Sequence, residues 1–232
     1  SSAVFDPSKP FNPWSNNKGG ISEDDFFKDP KGTLKPASDA GVAISSVASY
    51  TSTADMDRAL KMVKACSAAG IKNVRVAALP LPKESKYDMP AFLDKSRGTF
   101  KELVAEAKKA GVRPCLELHG GTPYPSPSGV IAFLKGIPPS DAGVLLDPAN
   151  MISDGWEVIP LALNIIGPYL AEVHVKNSQW VPDGDDPHGV KKYKAVASDL
   201  EDGCVNWADV IEKLKLHAYE GWLIEEGHTH DR

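Results

Sequence analysis

Residues 97–119, RGTFKELVAEAKKAGVRPCLELH, contain the pattern that decides the fold. Residues 97–110 predict a helix, Gly111 ends that helix, and the apolar segment 113–119 predicts a strand. No hairpin signal lies between the two elements. A helix that leads directly into an apolar strand in this way is typical of a crossover between parallel strands.

The same unit recurs along the chain, beginning with a predicted helix over 55–69 that ends at Gly70 and a strand over 73–79. The other predicted elements are a helix near 22–39, a strand over 43–50, a helix near 127–136, a strand over 143–150, a helix over 156–168, a strand over 171–177, a helix over 206–218 and a strand over 221–227. Neither G-x-G-x-x-G nor a P-loop follows the first strand, which disfavours a doubly wound open sheet. We therefore predict an α/β fold, a (β/α)8 TIM barrel.

The length of the chain suits one large domain. Its 232 residues fall slightly below the roughly 250 of a typical TIM barrel, so we predict a single domain over 1–232 whose first part, 1–37, is irregular and rich in loops. We count about seven strands at most. We therefore expect the barrel to lack its first βα unit in this chain, with an unusually short barrel as the alternative.

Composition and charge exclude several classes of protein. Hydrophobic residues make up 42% of the chain and charged residues 25%, which are globular averages, and no apolar run has the roughly 18 residues of a membrane helix. The net charge of −5 argues against a nucleic-acid surface. Three widely spaced cysteines and the lack of a recognisable signal peptide lead us to expect a reduced, cytoplasmic protein.

Four predicted strands carry an ionisable side chain near their carboxyl ends, where barrel enzymes build their active sites. These side chains are Glu117, Asp147, His174 and Glu226. Alternation along each strand places them on the same face as other inward-pointing residues. A carboxylate at the end of a buried strand is costly unless something compensates its charge.

Three carboxylates gathered beside one imidazole would repel each other without a cation. Oxygen-rich ligation with a single histidine suits Mn²⁺, Mg²⁺ or Co²⁺ better than a structural zinc site. Taken alone, an aspartate such as Asp147 is more often a helix cap or loop anchor, and a histidine such as His174 is more often a satisfied core or surface residue. The occurrence of four such residues on separate strands favours a metal site over these separate readings.

Five segments together resemble the sugar phosphate isomerase/epimerase family of the xylose-isomerase-like superfamily. They are LELHGG, GVLLDPANM, VHVKN, DGCVNW and YEGWLIEE, within residues 40–227. The resemblance implies a metal site of Glu117, Asp147, His174 and Glu226, since the last ligand usually lies five residues after the glycine of the Y-x-G turn. That spacing from Gly221 selects Glu226 and leaves Glu225 as the weaker candidate.

The chain departs from the family pattern at two positions. Asn150 stands where many members have histidine, and Asn177 stands where many have aspartate. These changes weaken any transfer of an exact substrate. The chain also lacks the additional histidines of the DNA-cleaving branch of the superfamily, and its acidity disfavours that branch as well.

The resemblance implies a small-molecule carbohydrate substrate and one divalent metal ion, with Mn²⁺ as our first choice and Mg²⁺, Co²⁺ or Zn²⁺ as alternatives. We predict an isomerase or epimerase that transfers a proton through a metal-stabilised enediolate, with Glu117 and Glu226 as the catalytic acid and base. A lyase that uses the same intermediate, such as a dehydratase, stays open. From other classes, a non-catalytic sugar-binding barrel and a metal-free glycoside hydrolase are the competing hypotheses.

Further substrate contacts are predicted at positions near these strand ends. They are His119, Lys176, Arg75, Trp180 and His188. The last two lie in the segment 178–195, which we predict to be a long polar loop that could act as a lid. Phe5, Phe11 and Trp14 in the irregular N-terminal part could cover a partner subunit, so we also expect a homo-oligomer or a partner subunit.

Overall fold

A computed structural model describes residues 21–84 and 86–226. Two compact units divide the chain: unit 1 comprises Ser1–Leu116 and Gly136–Gly143, and unit 2 comprises Glu117–Lys135 and Val144–Arg232. The first 20 residues of the predicted loop-rich part, with Phe5, Phe11 and Trp14, lie outside the described residues. No helix within the described ranges is both long and apolar enough to span a membrane.

Unit 1 contains three parallel strands and the helices that alternate with them. Its elements are α1 (Glu23–Lys28), α2 (Pro30–Asp39), β1 (Ser46–Ser52), α3 (Met56–Ala69), β2 (Asn73–Ala77), α4 (Met89–Lys109) and β3 (Arg113–Glu117), whose last residue belongs to unit 2. β2 pairs with β1 on one side and with β3 on the other, in both cases in parallel. The predicted helix–glycine–strand repeat is therefore confirmed in this part of the chain.

The helix α3 shows how the sequence produces this repeat. The Asp55 side chain caps its first turn by accepting a hydrogen bond from the Arg58 amide at 3.0 Å. Met62 and Cys66, one turn apart, are both buried, as expected for the apolar face of an amphipathic helix. Gly70 ends the helix with a φ of 76°, in the left-handed region that glycine adopts without a steric penalty.

Unit 2 repeats the parallel arrangement and adds a hairpin. Its elements are α5 (Pro127–Phe133), β4 (Gly143–Leu146, the first residue of which belongs to unit 1), α6 (Pro148–Asp154), α7 (Ile159–Ile166), a 3₁₀ turn (Gly167–Tyr169), β5 (Leu170–Val175), β6 (Asn177–Asp185), β7 (Lys191–Ser198), α8 (Trp207–Leu216) and β8 (Trp222–Glu225). β5 pairs in parallel with β4 and with β8. The carboxyl ends of these three strands therefore meet at one edge.

Three predicted elements differ from the structure at proline residues. The strand predicted over 143–150 ends at Leu146, and α6 follows because Asp147 caps a helix with Pro148 in its first turn. α4 begins at Met89 rather than at residue 97, again with a capping aspartate and an early proline. The helix predicted near 22–39 is divided into α1 and α2 at Asp29 and Pro30.

The prediction of a long polar loop over 178–195 was wrong, because this segment forms the antiparallel hairpin β6–β7. The turn explains the hairpin. The Asp186 side chain accepts hydrogen bonds from the amides of His188 and Val190, both at 2.8 Å, and Gly189 adopts a φ of 81°. An aspartate–proline pair followed by a glycine two residues later is a turn signal. This turn allows the polar segments on either side to pair as strands.

Asn177 anchors the base of this hairpin. Its Nδ2 donates to the carbonyls of Leu200 and Val205 at 2.8 and 2.9 Å, and its Oδ1 accepts from the amides of Ser178 and Val205, both at 2.9 Å. A side chain added at Gly203 would overlap the Asn177 amide. The DGCVNW motif is thus the segment that closes over a buried asparagine whose hydrogen-bonding capacity is fully used.

We predict that N177D destabilises the protein by about 2–4 kcal/mol, because aspartate removes both donors and places a buried negative charge against two carbonyl oxygens. Equilibrium urea unfolding at pH 7 would measure this change. N164D is the matched control, since Asn164 is exposed and its Nδ2 donates to one carbonyl, that of Pro160. We expect the control to lose less than about 1 kcal/mol. Equal losses in the two variants would contradict the anchoring role of Asn177.

Candidate metal centre

The four side chains at the predicted strand ends lie together in unit 2. Glu117, Asp147, His174 and Glu226 each offer one ligand atom, and these atoms all lie within 4.8 Å of one another. The side chains of Asp147 and His174 are 0% and 1% exposed, and those of Glu117 and Glu226 are 8% and 12% exposed. Four ionisable groups therefore share one largely desolvated volume.

Two hydrogen bonds of the next residue, Leu118, hold Glu117 beside Asp147. Glu117 is the last residue of β3, and the next amide, that of Leu118, donates to the carbonyl of Leu145 at 3.2 Å. The carbonyl of Leu118 accepts a hydrogen bond from Nδ2 of Asn150 at 3.0 Å. The residue that follows Glu117 is thus fixed, through both its amide and its carbonyl, to the segment that carries Asp147.

Asp147 has two roles, one for each carboxylate oxygen. Its Oδ1 accepts from the amide of Asn150 at 2.9 Å and caps the first turn of α6. Its Oδ2 points to the other ionisable groups of the site and lies 3.8 Å from Nδ1 of His174. The helix-cap reading and the metal-site reading of this residue are therefore compatible.

The parallel register of β5 and β8 brings His174 and Glu226 together. His174 is paired with Ile224, and Val175 with Glu225. One residue further, the amide of Glu226 donates to the carbonyl of Val175 at 3.0 Å, which extends the pairing beyond β8. Glu225, the weaker ligand candidate, is exposed.

The Nδ1 atom of His174 is the centre of the group. It lies 3.2 Å from Oε1 of Glu117 and 3.3 Å from Oε1 of Glu226, besides its longer contact with Asp147. All three carboxylates therefore face the same imidazole nitrogen. This is the arrangement in which one nitrogen and three oxygens can converge on a single point.

Lys176 is a fifth charged member of the site. Its Nζ lies 2.8 Å from Oδ2 of Asp147 and 3.1 Å from Oε2 of Glu226, and its side chain is 13% exposed. The residue follows His174 by two positions on the same face of the chain, and its carbonyl accepts from Nε1 of Trp207 at 3.1 Å. The main chain of Lys176 is thus fixed, while its ammonium reaches two of the carboxylates.

The pKa values show how strongly these groups are coupled. Burial alone would lower the pKa of His174, but hydrogen bonds with Asp147, Glu117 and Glu226 outweigh it and raise that pKa to about 11. Burial would raise the pKa of Glu226, yet His174 and Lys176 lower it to about 2. The carboxylates of the site therefore attract positive charge strongly.

The donor set fits a divalent cation. Three carboxylates and one imidazole, each with a ligand atom inside a 4.8 Å group, provide the oxygen-rich ligation that Mn²⁺, Mg²⁺ and Co²⁺ accept. As a ligand, the imidazole must be neutral, so metal binding would replace the proton of His174 by the cation. The residues that would hold the metal are Glu117, Asp147, His174 and Glu226.

The other predicted contact residues are placed differently. His119 is exposed, and its Nδ1 lies 2.8 Å from the carbonyl of the next residue. Arg75 belongs to unit 1, where its Nε donates to a backbone carbonyl of β1 at 3.0 Å. Trp180 is exposed on β6, and His188 is exposed in the hairpin turn. Of these five residues, Lys176 forms ion pairs with two of the four clustered side chains. All five assignments as substrate contacts stay predictions.

Sequence reasoning missed Glu172, which is 2% exposed on β5. After burial, its charge is the second cause that raises the pKa of Tyr219. The signal was available, because Glu172, His174 and Lys176 alternate along one strand and share a face. A series of three ionisable residues at a period of two predicts a polar interior on that side of the strand.

The two departures from the family pattern have structural roles. Asn150 donates to the carbonyl that follows Glu117, as described above, and Asn177 binds the base of the hairpin through both donors and acceptors. The amide of Asn177 supplies hydrogens that an aspartate cannot.

Known structures share the fold of this chain at low sequence identity. A xylose isomerase-like TIM barrel protein from Mycobacterium smegmatis in complex with magnesium is 21% identical, with a TM-score of 0.64 over 91% of this chain and 74% of that chain. A 3-keto-D-glucoside 4-epimerase from E. coli is 14% identical, with a TM-score of 0.68 over 91% and 82%. A probable 3-DHS dehydratase from Bacillus anthracis is 12% identical, with a TM-score of 0.68 over 90% and 80%.

These likenesses confirm the predicted TIM-barrel fold. No curated protein matches the sequence. The family described as the xylose isomerase-like TIM barrel matches residues 30–231, which is most of the chain and includes every strand of both units. The protein therefore belongs to the xylose isomerase-like TIM-barrel family.

Proposed function

We propose that the protein is a divalent-metal-dependent isomerase or epimerase of a sugar or a related polyhydroxylated carbonyl compound. The observation that carries the proposal is the convergence of three carboxylates on Nδ1 of one buried histidine. A buried group of this charge and donor type is costly to a fold unless positive charge compensates it, and such groups are concentrated at functional sites. We propose Mn²⁺ as the first cation to test.

The names of similar structures give the proposal further support. One is a 3-keto-D-glucoside 4-epimerase, and another is a D-psicose 3-epimerase from Clostridium cellulolyticum H10 with D-tagatose. Both names describe epimerases that act on carbohydrates. A further one is a protein in complex with magnesium.

The residues of the site can divide the work of proton transfer. When bound, the cation would supply Lewis-acid chemistry by polarising a substrate carbonyl. Glu117 is the last residue of β3 and Glu226 follows β8, so the two carboxylates approach from different strands. One can remove a proton from the carbon beside the carbonyl, and the other can return it. Lys176 lies beside both Asp147 and Glu226, where its ammonium can hold an anionic oxygen of the substrate.

A lyase is the second candidate, because one similar structure is a probable 3-DHS dehydratase. The first step would be the same removal of a proton beside a carbonyl. Loss of a hydroxide from the β-carbon would then replace the return of the proton. The two candidates therefore share the roles of the carboxylates and differ in the product.

We predict about one Mn²⁺ bound per chain after metal is supplied, because four ligand atoms converge. E226Q and H174A each remove one ligand and should lower the Mn²⁺ affinity by about tenfold or more. Isothermal titration and elemental analysis would measure the loss. E225Q is the matched control, since Glu225 is the exposed neighbour of Glu226 and should leave binding unchanged.

Two outcomes would contradict the metal site. The first is wild-type protein that binds no Mn²⁺, Mg²⁺, Co²⁺ or Zn²⁺ after treatment with each, which would favour a non-catalytic sugar-binding barrel. The second is equal loss of affinity in E225Q and E226Q, which would indicate a general effect of acidic charge at this end of the chain.

We also predict that the Mn²⁺-loaded protein exchanges a substrate C–H for deuterium in D₂O when ketoses and oxidised glycosides are screened by NMR. E117Q should lower the rate by about 10²–10⁴, the usual contribution of a general acid or base. The comparison is made at equal bound Mn²⁺, with E106Q on the exposed surface of α4 as control.

The products separate the candidates. An epimer or an aldose–ketose pair supports the isomerase, and loss of water supports the lyase. Glycoside cleavage that continues in excess chelator, without deuterium exchange, would overturn the proposal in favour of a hydrolase.

A further inference from the structure

Lys176 brings a permanent positive charge to the carboxylates of the site. Its Nζ lies 2.8 Å from Asp147 and 3.1 Å from Glu226, at Oδ2 and Oε2 respectively. These are two of the four side chains that offer clustered ligand atoms. A lysine ammonium and a divalent cation are therefore attracted to the same two groups.

The carboxylate of Asp147 makes this overlap specific. Its Oδ1 is engaged in the cap of α6 through the amide of Asn150. The oxygen that faces the ligand cluster is thus Oδ2, which is also the oxygen in contact with Lys176. A cation that binds Asp147 without uncapping the helix must share Oδ2 with the ammonium or displace it.

The two carboxylate oxygens of Glu226 also have different partners. Its Oε1 lies 3.3 Å from Nδ1 of His174, and its Oε2 lies 3.1 Å from Nζ of Lys176. Loss of the lysine contact would free the carboxylate to turn both oxygens toward a cation. Lys176 therefore influences the orientation of Glu226 as well as its charge.

The lysine side chain is able to move without disturbing the fold. The Lys176 carbonyl is held by Nε1 of Trp207, which fixes the main chain where β5 ends. The ammonium is separated from that anchor by a flexible four-carbon stem. An incoming cation can therefore displace the charge while the strand stays in place.

We propose that Lys176 is a positioning residue that competes with the divalent cation for Asp147 and Glu226 and so limits how tightly the site holds the metal. This inference rests on the metal site of the proposed function. Two positive charges only a few ångströms apart repel each other strongly in a desolvated site.

The test is a titration of Mn²⁺ into metal-stripped wild type, K176Q, K176R and K194Q. Glutamine keeps hydrogen-bond donors without the charge, so K176Q should bind Mn²⁺ at least tenfold more tightly. Arginine keeps the charge, so K176R should stay within about threefold of wild type. K194Q removes an exposed lysine of β7, paired with Asp183 at 3.0 Å, and controls for net charge.

A second measurement uses the wild-type protein alone and does not depend on the folding of any variant. Acylation of lysines, followed by mass spectrometry, should label Lys176 severalfold faster after Mn²⁺ is added, because displacement breaks its ion pairs and lets the amine lose a proton to solvent and react. Labelling of Lys194 should not change. Slower or unchanged labelling of Lys176 in metal-loaded protein would show that the cation does not displace it and would overturn the inference.

The titration distinguishes the two proposals. Wild-type binding of Mn²⁺ with equal or weaker binding in K176Q overturns the competition and leaves the metal site intact. Tighter binding in K194Q by the same factor as in K176Q also overturns it, because the effect would then follow net charge. Absence of Mn²⁺ binding in wild type and in all variants overturns the metal site itself, and the inference with it.

Discussion

Mutual repulsion among three desolvated carboxylates is the constraint on which unit 2 depends. Glu117, Asp147 and Glu226 would each be costly to bury, and together they are tolerable only beside positive charge. The protein supplies this charge through His174 and Lys176, both within ion-pair distance of the carboxylates. The same demand for positive charge is what would draw a divalent cation to the site. Stability and cation affinity thus have one electrostatic origin.

The scaffold satisfies this constraint through backbone pairing rather than through side-chain packing alone. Parallel strands bring their carboxyl ends to one edge, and a hydrogen bond beyond β8 fixes Glu226 next to the histidine strand. The side-chain amide of Asn150 fixes the main chain just after Glu117. The indole of Trp207 fixes the main chain at Lys176. Hydrogen bonds of the main chain therefore hold the charged residues close together although their carboxylates repel each other.

The sequence contained most of the site because strand position and alternation are local properties. A carboxylate or imidazole at the end of an apolar strand can be recognised from a few residues, which is how Glu117, Asp147, His174 and Glu226 were selected. The role of Asn177 was missed for the opposite reason. The four hydrogen bonds of that side chain join residues up to 28 positions away, and no local pattern encodes them. The ion pairs of Lys176 are likewise set by the tertiary fold.

Asp147 shows why local and functional readings of one residue need not compete. A carboxylate has two oxygens, and here Oδ1 completes the first turn of α6 while Oδ2 meets the charged cluster. The cap fixes the orientation of the carboxylate, which in turn fixes the direction in which Oδ2 can bind a cation. A helix cap at the end of a parallel strand is therefore a means of orienting a ligand. The same local motif, Asp-Pro after an apolar strand, specifies both the turn of the chain and the direction of the charge.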